Sequence, residues 1–116
     1  MPLFAPYMTS AVREYFCVAG LDASGRLRAF AEVGGDATSV ACVMRPLRQV
    51  LADACVTHIV IGHNHPHGNA MPSAADRHVT RRIAALVNLA GVTLDDHLIF
   101  ASTRITSFAA LGLLTR

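Results

Sequence analysis

The stretch His63-Asn-His-Pro-His-Gly-Asn-Ala-Met-Pro-Ser-Ala-Ala-Asp76 decides how this chain is read. Before it lies His58-Ile-Val-Ile-Gly62, whose length and β-branched residues suit a short buried strand. After it, apolar residues recur at helical spacing from Ala74 to Ala90, and Gly91 supplies the stop. The Pro and Gly residues between His63 and Pro72 bar a regular element there. The order is therefore strand, loop, helix. His63 and His65 stand two apart at the strand end, so in extended geometry both rings point to one side. Two imidazoles on one face can share a Zn²⁺. A catalytic zinc also wants a third protein ligand and an open position, and Asp76 is the nearest candidate.

A helical wheel supports Asp76. It shares a stripe with Val79, Ile83, Leu86, Val87 and Ala90, while Arg77, Arg81 and Asn88 face away, with His78 and Arg82 further round. A carboxylate on the inward stripe is costly unless it meets a cation or donors. A competing reading stands beside this one. Ser73-Ala-Ala-Asp76 fits a capping box, and an acid in the first turn suits the helix dipole. By themselves His63 and His65 would also pass for ordinary loop histidines. The pair and the acid together, joined by one short loop, favour a metal site.

Upstream, Tyr15-Phe-Cys-Val-Ala-Gly-Leu21 reads as a strand buried on both faces. A turn at Asp22–Gly25 leads to Arg26–Val33, whose alternation suits a hairpin partner with one wetter face. Gly34-Gly35-Asp36 turns the chain again, and Thr38–Val43 is expected as a short strand. Pro46 is expected in the first turn of a helix carrying Leu47, Val50, Leu51 and Ala54 to about Cys55. Downstream, Val92–Leu94, Leu98–Ala101 and Arg104–Thr106 read as strands, and Phe108–Leu114 as a short helix. The expected fold class is α/β or α+β, with a mixed β-sheet between helices.

The whole chain is bounded by its 116 residues, enough for one domain and too few for two. A chain of this size buries roughly 65% of its unfolded surface, so a core needs no staples. Hydrophobic residues at 53% against 16% charged exclude a disordered chain. No apolar run reaches the roughly 18 residues of a membrane span. Met1–Tyr7 lacks the basic and apolar regions of a secretory signal. Residues 1–11 are expected as an irregular segment and residues 12–116 as a single domain. Cys17, Cys42 and Cys55 sit in apolar runs outside any C-x-x-C, so buried thiols and a reducing cytoplasm are expected. The ten basic residues are all Arg, the net charge is only +2, and no basic cluster stands out, so direct nucleic-acid binding is not expected.

At His63-x-His65, seven residues, then Ser73-x-x-Asp76, the chain resembles the JAMM/MPN metalloprotease superfamily. More narrowly it resembles the RadC-like JAB domain, through His63-Asn-His-Pro66, Gly68-Asn69, Pro72-Ser73, Asp76, Thr80, Asp96-His97-Leu98-Ile99 and Ser107-Phe108. The likeness runs over residues 12–114. It implies a JAB/MPN fold, akin to that of cytidine deaminases. It implies zinc on His63, His65 and Asp76, and hydrolysis of a peptide or isopeptide bond, with ubiquitin-like conjugates or small adducts as substrates. It also implies that Glu14 is the distant general base. By spacing alone Glu14 stands no higher than Glu32, and reads as a solvated charge at a strand entry. On this reading Ser73 donates to the developing oxyanion.

Several positions depart from the pattern or leave two readings. His67 replaces the usual Ser, as a surface residue or as a contact to substrate or a stray metal. Arg45-Pro46 stands where the family has Pro-Arg-Glu. The helix-hairpin-helix region usual in RadC proteins is missing from this chain, which suggests a stand-alone domain or a fragment. Asp96 and His97 either support a ligand histidine from behind or form a polar turn. His58 and His78 read as ordinary. Three rivals remain in view. A zinc deaminase needs His-x-Glu and Pro-Cys-x-x-Cys, and neither occurs. A DNA-repair accessory and a non-catalytic MPN scaffold are the others. A dimer is permitted by the apolar Thr38–Met44 segment.

Overall fold

The computed structural model describes residues 14–34, 40–65, 70–101 and 104–114. The expected irregular segment 1–11, the Gly35-Asp36 turn, Gly68-Asn69 and His67 lie outside these described residues. The elements run β1 (Tyr15–Leu21), β2 (Leu27–Gly34), α1 (Val40–Leu51), β3 (His58–Asn64), α2 (Ala74–Leu89), β4 (Thr93–Ala101) and β5 (Arg104–Ser107). They build one mixed sheet in the order β2-β1-β3-β4-β5. Only β3 and β4 are parallel, because α2 carries the chain back between them. The other neighbours are antiparallel. This is the α+β class with a mixed sheet that the sequence implies.

The β1–β2 turn is built by Asp22. Its carboxylate accepts from the Ser24 and Arg26 backbone N–H groups and from the Ser24 hydroxyl, and Gly25 takes φ +86°. β1 is buried on both faces, as its apolar run dictates. Phe16 and Val18 share one cluster with Ile59 and Ile61 of β3, Val43, Leu47 and Val50 of α1, and Val79, Ile83 and Val87 of α2. Cys17 and Ala19 belong to a second cluster with Val60, Leu98 and Phe100 on the opposite face. Both described helices therefore pack on one face of the sheet, where the sequence reading placed the sheet between helices. Periodicity shows that a helix has an apolar stripe but not which face of a sheet receives it.

Five local expectations are corrected. The chain is already helical at Val40, so Val40–Val43 of the expected Thr38–Val43 strand is helix, and Thr38 and Ser39 lie outside the described residues. Val43, Leu47 and Val50 recur at helical spacing, and burying them together outweighs the β-propensity of a short apolar run. Pro46 accordingly sits inside α1 rather than in its first turn. Its missing N–H frees the carbonyl of Cys42, an exposed residue. The helix ends at Leu51, Ala54 is exposed, and Asp53 turns the chain by accepting from Cys55 N at 2.8 Å. Of the three thiols only Cys17 is buried; Cys42 and Cys55 are exposed, because an apolar neighbourhood in sequence does not set the side of the helix or turn. Finally, Phe108–Leu114 forms turns instead of a helix. Leu113 N and Gly112 N bond back to Phe108 O and Ala109 O, with Gly112 at φ +70°.

β4 carries the most consequential difference. The sequence reading split it into two strands around Asp95-Asp96-His97, but Thr93–Ala101 is continuous. Against β3, Ile59 pairs with Leu94 and Val60 with Asp96, so Asp95 is an extra residue in a bulge. The bulge shifts the alternation by one. Leu94 faces the helices, and beyond the bulge Leu98 and Phe100 turn to the opposite face. His97 and Ile99 then take the helix side.

Candidate metal centre

The parallel crossover places the end of β3 against the start of α2. His63 belongs to the strand and shares the face of Ile59 and Ile61, so its ring enters the helix side and is 1% exposed. His65, two residues on, follows the same direction. Its backbone N–H bonds Phe100 O at 2.8 Å, which ties the strand end to β4.

Asp76 reaches the same point from α2. Ser73 is the N-cap, with its hydroxyl accepting from Asp76 N at 3.0 Å and its own N–H donating to Asp76 Oδ2 at 2.8 Å. The capping box therefore exists, and it aims the carboxylate rather than competing with the site. Asp76 is 1% exposed. Its Oδ1 lies 3.3 Å from His63 Nε2, and its Oδ2 lies 3.4 Å from His65 Nε2. The two Nε2 atoms are 2.8 Å apart. Burial pushes the Asp76 carboxyl up, but the two imidazoles and the Ser73 N–H outweigh it and hold the carboxyl well below the usual carboxylate range.

These three side chains are the group able to hold a metal ion among the described residues. Ligands about 2.0–2.1 Å from a tetrahedral zinc stand about 3.3 Å from one another. The His–Asp separations are 3.3 Å to Oδ1 and 3.4 Å to Oδ2, one carboxylate oxygen facing each imidazole, and the His–His separation is about half an ångström shorter than the tetrahedral figure, so movements of the rings and the carboxylate would bring one atom from each onto a shared ion. Two imidazoles and a carboxylate are also the donor set of known catalytic zinc sites. The residues fit the ion.

Behind the group stands His97, buried to 1%. Its Nε2 lies 2.7 Å from His63 Nδ1, and its Nδ1 lies 2.6 Å from Thr80 Oγ1, which donates to Asp76 O at 2.6 Å. Phe108 stacks on the His97 ring, with centroids 4.4 Å apart. Burial, with the neighbouring His63, keeps the His97 imidazole well below the usual histidine range, and so neutral. Asp96 points elsewhere. Its carboxylate accepts from His97 N, Ser107 Oγ and Ala109 N, tying β4 to the turn after β5 rather than reaching a ring of His63 or His65. Of the two residues named as candidate supports, His97 touches the candidate ligand His63, and Asp96 orders the backbone at His97.

Glu14 immediately precedes β1 and is half-buried. The antiparallel ladder of β1 and β3 closes with Phe16↔His63, so Glu14, which enters β1, lies at the sheet end where His63 leads out of β3. Nearly fifty residues of sequence are thus bridged by strand pairing. Tyr15 N also donates to Asn64 Oδ1 at 2.6 Å and pins this edge. His58 lies at the other end of β3 and pairs with Asp95 at 3.0 Å, and His78 is exposed on α2. Thr80 was visible in sequence only as a matching position; nothing in its spacing announced a bond to His97.

The family model described as the RadC-like JAB domain matches residues 1–113. The chain is 34% identical over 107 residues to a UPF0758 protein of Aeromonas salmonicida, covering 91% of this chain and 49% of that protein. It is 36% identical over 115 residues to a UPF0758 protein of Xanthomonas axonopodis pv. citri, covering 94% and 49%. A UPF0758 protein of Bordetella petrii is 43% identical over 70 residues, covering 58% and 31%. The chain spans about half the length of the first two.

Proposed function

The chain belongs to the RadC-like JAB domain family, and from that premise we propose that it is a zinc-dependent hydrolase of a peptide or isopeptide bond. The observation that carries this reading is the buried convergence of His63, His65 and Asp76. His63, His65 and Asp76 would hold the zinc, which would supply an acidified water and a Lewis acid for a carbonyl oxygen.

The chain's own residues do the rest. Glu14, at the start of β1 beside the His63 end of β3, takes a proton from the attacking water and returns it to the leaving amine as the C–N bond breaks. Ser73 Oγ already accepts from Asp76 N. A hydroxyl that accepts still has its own proton to give, so Ser73 donates to the carbonyl oxygen as charge develops. Asp76 stays ionised at neutral pH and offsets the positive end of α2 beside a cation. The substrate is a peptide, an isopeptide or a ubiquitin-like conjugate, and a reducing cytoplasm suits two exposed free thiols.

The test is metal content after purification without chelator. Wild type should carry about one zinc per chain, the occupancy of a mononuclear site, and His63→Ala/His65→Ala should carry none. Glu14→Gln should keep the zinc and lose turnover on peptide and isopeptide substrates by about 100-fold or more. Zinc binding with no turnover on any such substrate would move the protein to a binding module. No metal in wild type, even after zinc is supplied, would end the hydrolase reading.

A further inference from the structure

The bonds behind His63 form a chain whose directions can be counted. It starts at a group that can only accept, the carbonyl of Asp76. Thr80 has one hydroxyl proton and lies 2.6 Å from that carbonyl, so the proton goes there. The Thr80 oxygen, also 2.6 Å from His97 Nδ1, must then accept from it. His97 therefore carries a proton on Nδ1, and in the neutral ring its Nε2 is bare. At 2.7 Å from that bare nitrogen, His63 Nδ1 must be the donor. His63 Nε2, facing His65 and Asp76, is left with a lone pair. Reversing an arrow between Thr80 and His63 sets two lone pairs or two protons against each other at hydrogen-bond distance; at the front, the lone pair left on His63 Nε2 lies 3.3 Å from Asp76 Oδ1, an opposition that a cation between them relieves.

We infer that Thr80 and His97 are positioning residues that lock His63 in the Nδ1–H tautomer, so that a bare Nε2 is always presented to the metal. The inference deepens the metal-site reading above and rests on it for its consequence. His63, His97 and Thr80 are all 2% exposed or less, so no water repairs a broken link. Phe108 covers one face of His97 and keeps the ring from turning. The circuit closes on itself: Asp76 gives its carboxylate to the metal group and its backbone carbonyl to the origin of the chain. α2 thereby orients two ligands from one residue. The bulge at Asp95 is what brings His97 to this face.

Two measurements test this. The first reads the tautomer without metal: a ring-nitrogen NMR correlation spectrum of the chelator-treated protein should show His63 protonated on Nδ1. In Thr80→Val the anchoring acceptor is gone, so His97 can take the other tautomer and His63 should shift toward Nε2–H. Thr80→Ser should restore the wild-type pattern. The second reads affinity, using Zn²⁺ or Co²⁺ in competition with a chromophoric chelator. Thr80→Val and His97→Phe should bind about 10–100-fold more weakly, and Thr80→Ser as wild type. Phe at position 97 keeps the stack on Phe108; if that variant fails to fold, Thr80→Val and the wild-type spectrum decide. A wild-type His63 protonated on Nε2, or a folded Thr80→Val with unchanged spectrum and affinity, overturns the inference. Wild type that binds neither ion overturns the metal-site reading instead, and the tautomer spectrum still judges the lock.

Discussion

Cys17 shows how one side chain's chemistry is set by place rather than kind. Its thiol is fully buried, with Sγ 4.0 Å from Glu32 Oε2. Burial first, and the Glu32 charge second, push the thiol up to about 12. A thiol held protonated is neither nucleophile nor metal ligand. In the native protein at pH 8, a maleimide should label Cys42 and Cys55 and leave Cys17 unmodified until denaturant is added. The pH dependence has a definite sign. A native pKa above the unfolded value of about 8.5 means the native state holds the proton longer, so stability falls as pH rises from there toward about 12. Denaturation midpoints should decline more steeply over that window in wild type than in Cys17→Ala. Parallel profiles would show that the thiol is not responsible.

At the scale of elements, α2 depends on its start. Ser73→Ala removes the cap and should cost about 1 kcal/mol in urea denaturation, whereas Ser73→Gly should cost only a few tenths. Both lose the hydroxyl, so equal losses of turnover with unequal losses of stability would separate its two roles. β1 and α1 are packed with no slack at Gly20. A Cβ there would lie 2.5 Å from Val50 Cγ1 and 2.8 Å from Val56 Cγ2. Both partners are buried and β-branched, so they cannot swing aside. Gly20→Ala should therefore destabilise by about 1–3 kcal/mol, measured by thermal or chemical unfolding. A neutral result would mean that α1 shifts freely on the sheet.

At the scale of the whole molecule, the main core and the metal group are neighbours but not the same set. The largest apolar cluster joins β1, β3, β4 and both helices through their own side chains, so the fold has a core that needs no metal to hold it together. Chelation should accordingly leave the far-UV circular dichroism unchanged. Adding zinc at 100 times its dissociation constant should raise stability by about 2.7 kcal/mol through linkage. Loss of secondary structure on chelation would instead make the metal structural. No helix among the described residues is long and apolar enough to cross a membrane.

Sequence by itself determined the parts that depend on short-range pattern. Strand, loop and helix from His58 to Ala90 follow from apolar spacing and from Pro, Gly and Ser at the punctuation points. His63, His65 and Asp76 were legible because two residues of extended chain and one helical turn have fixed geometry. The turn at Asp22–Gly25 was legible for the same reason. What tertiary structure alone decided involves partners distant in sequence. It placed both helices on one face, because a stripe does not name its sheet. It made α1 from a run that also suited a strand, because burial of Val43, Leu47 and Val50 against β1 outweighs local preference. It brought the start of β1, where Glu14 stands, to the His63 end of β3 through strand register. And it turned His97 inward through a single extra residue, joining it to Thr80 and His63 by hydrogen bonds whose direction depends on three elements meeting at one point.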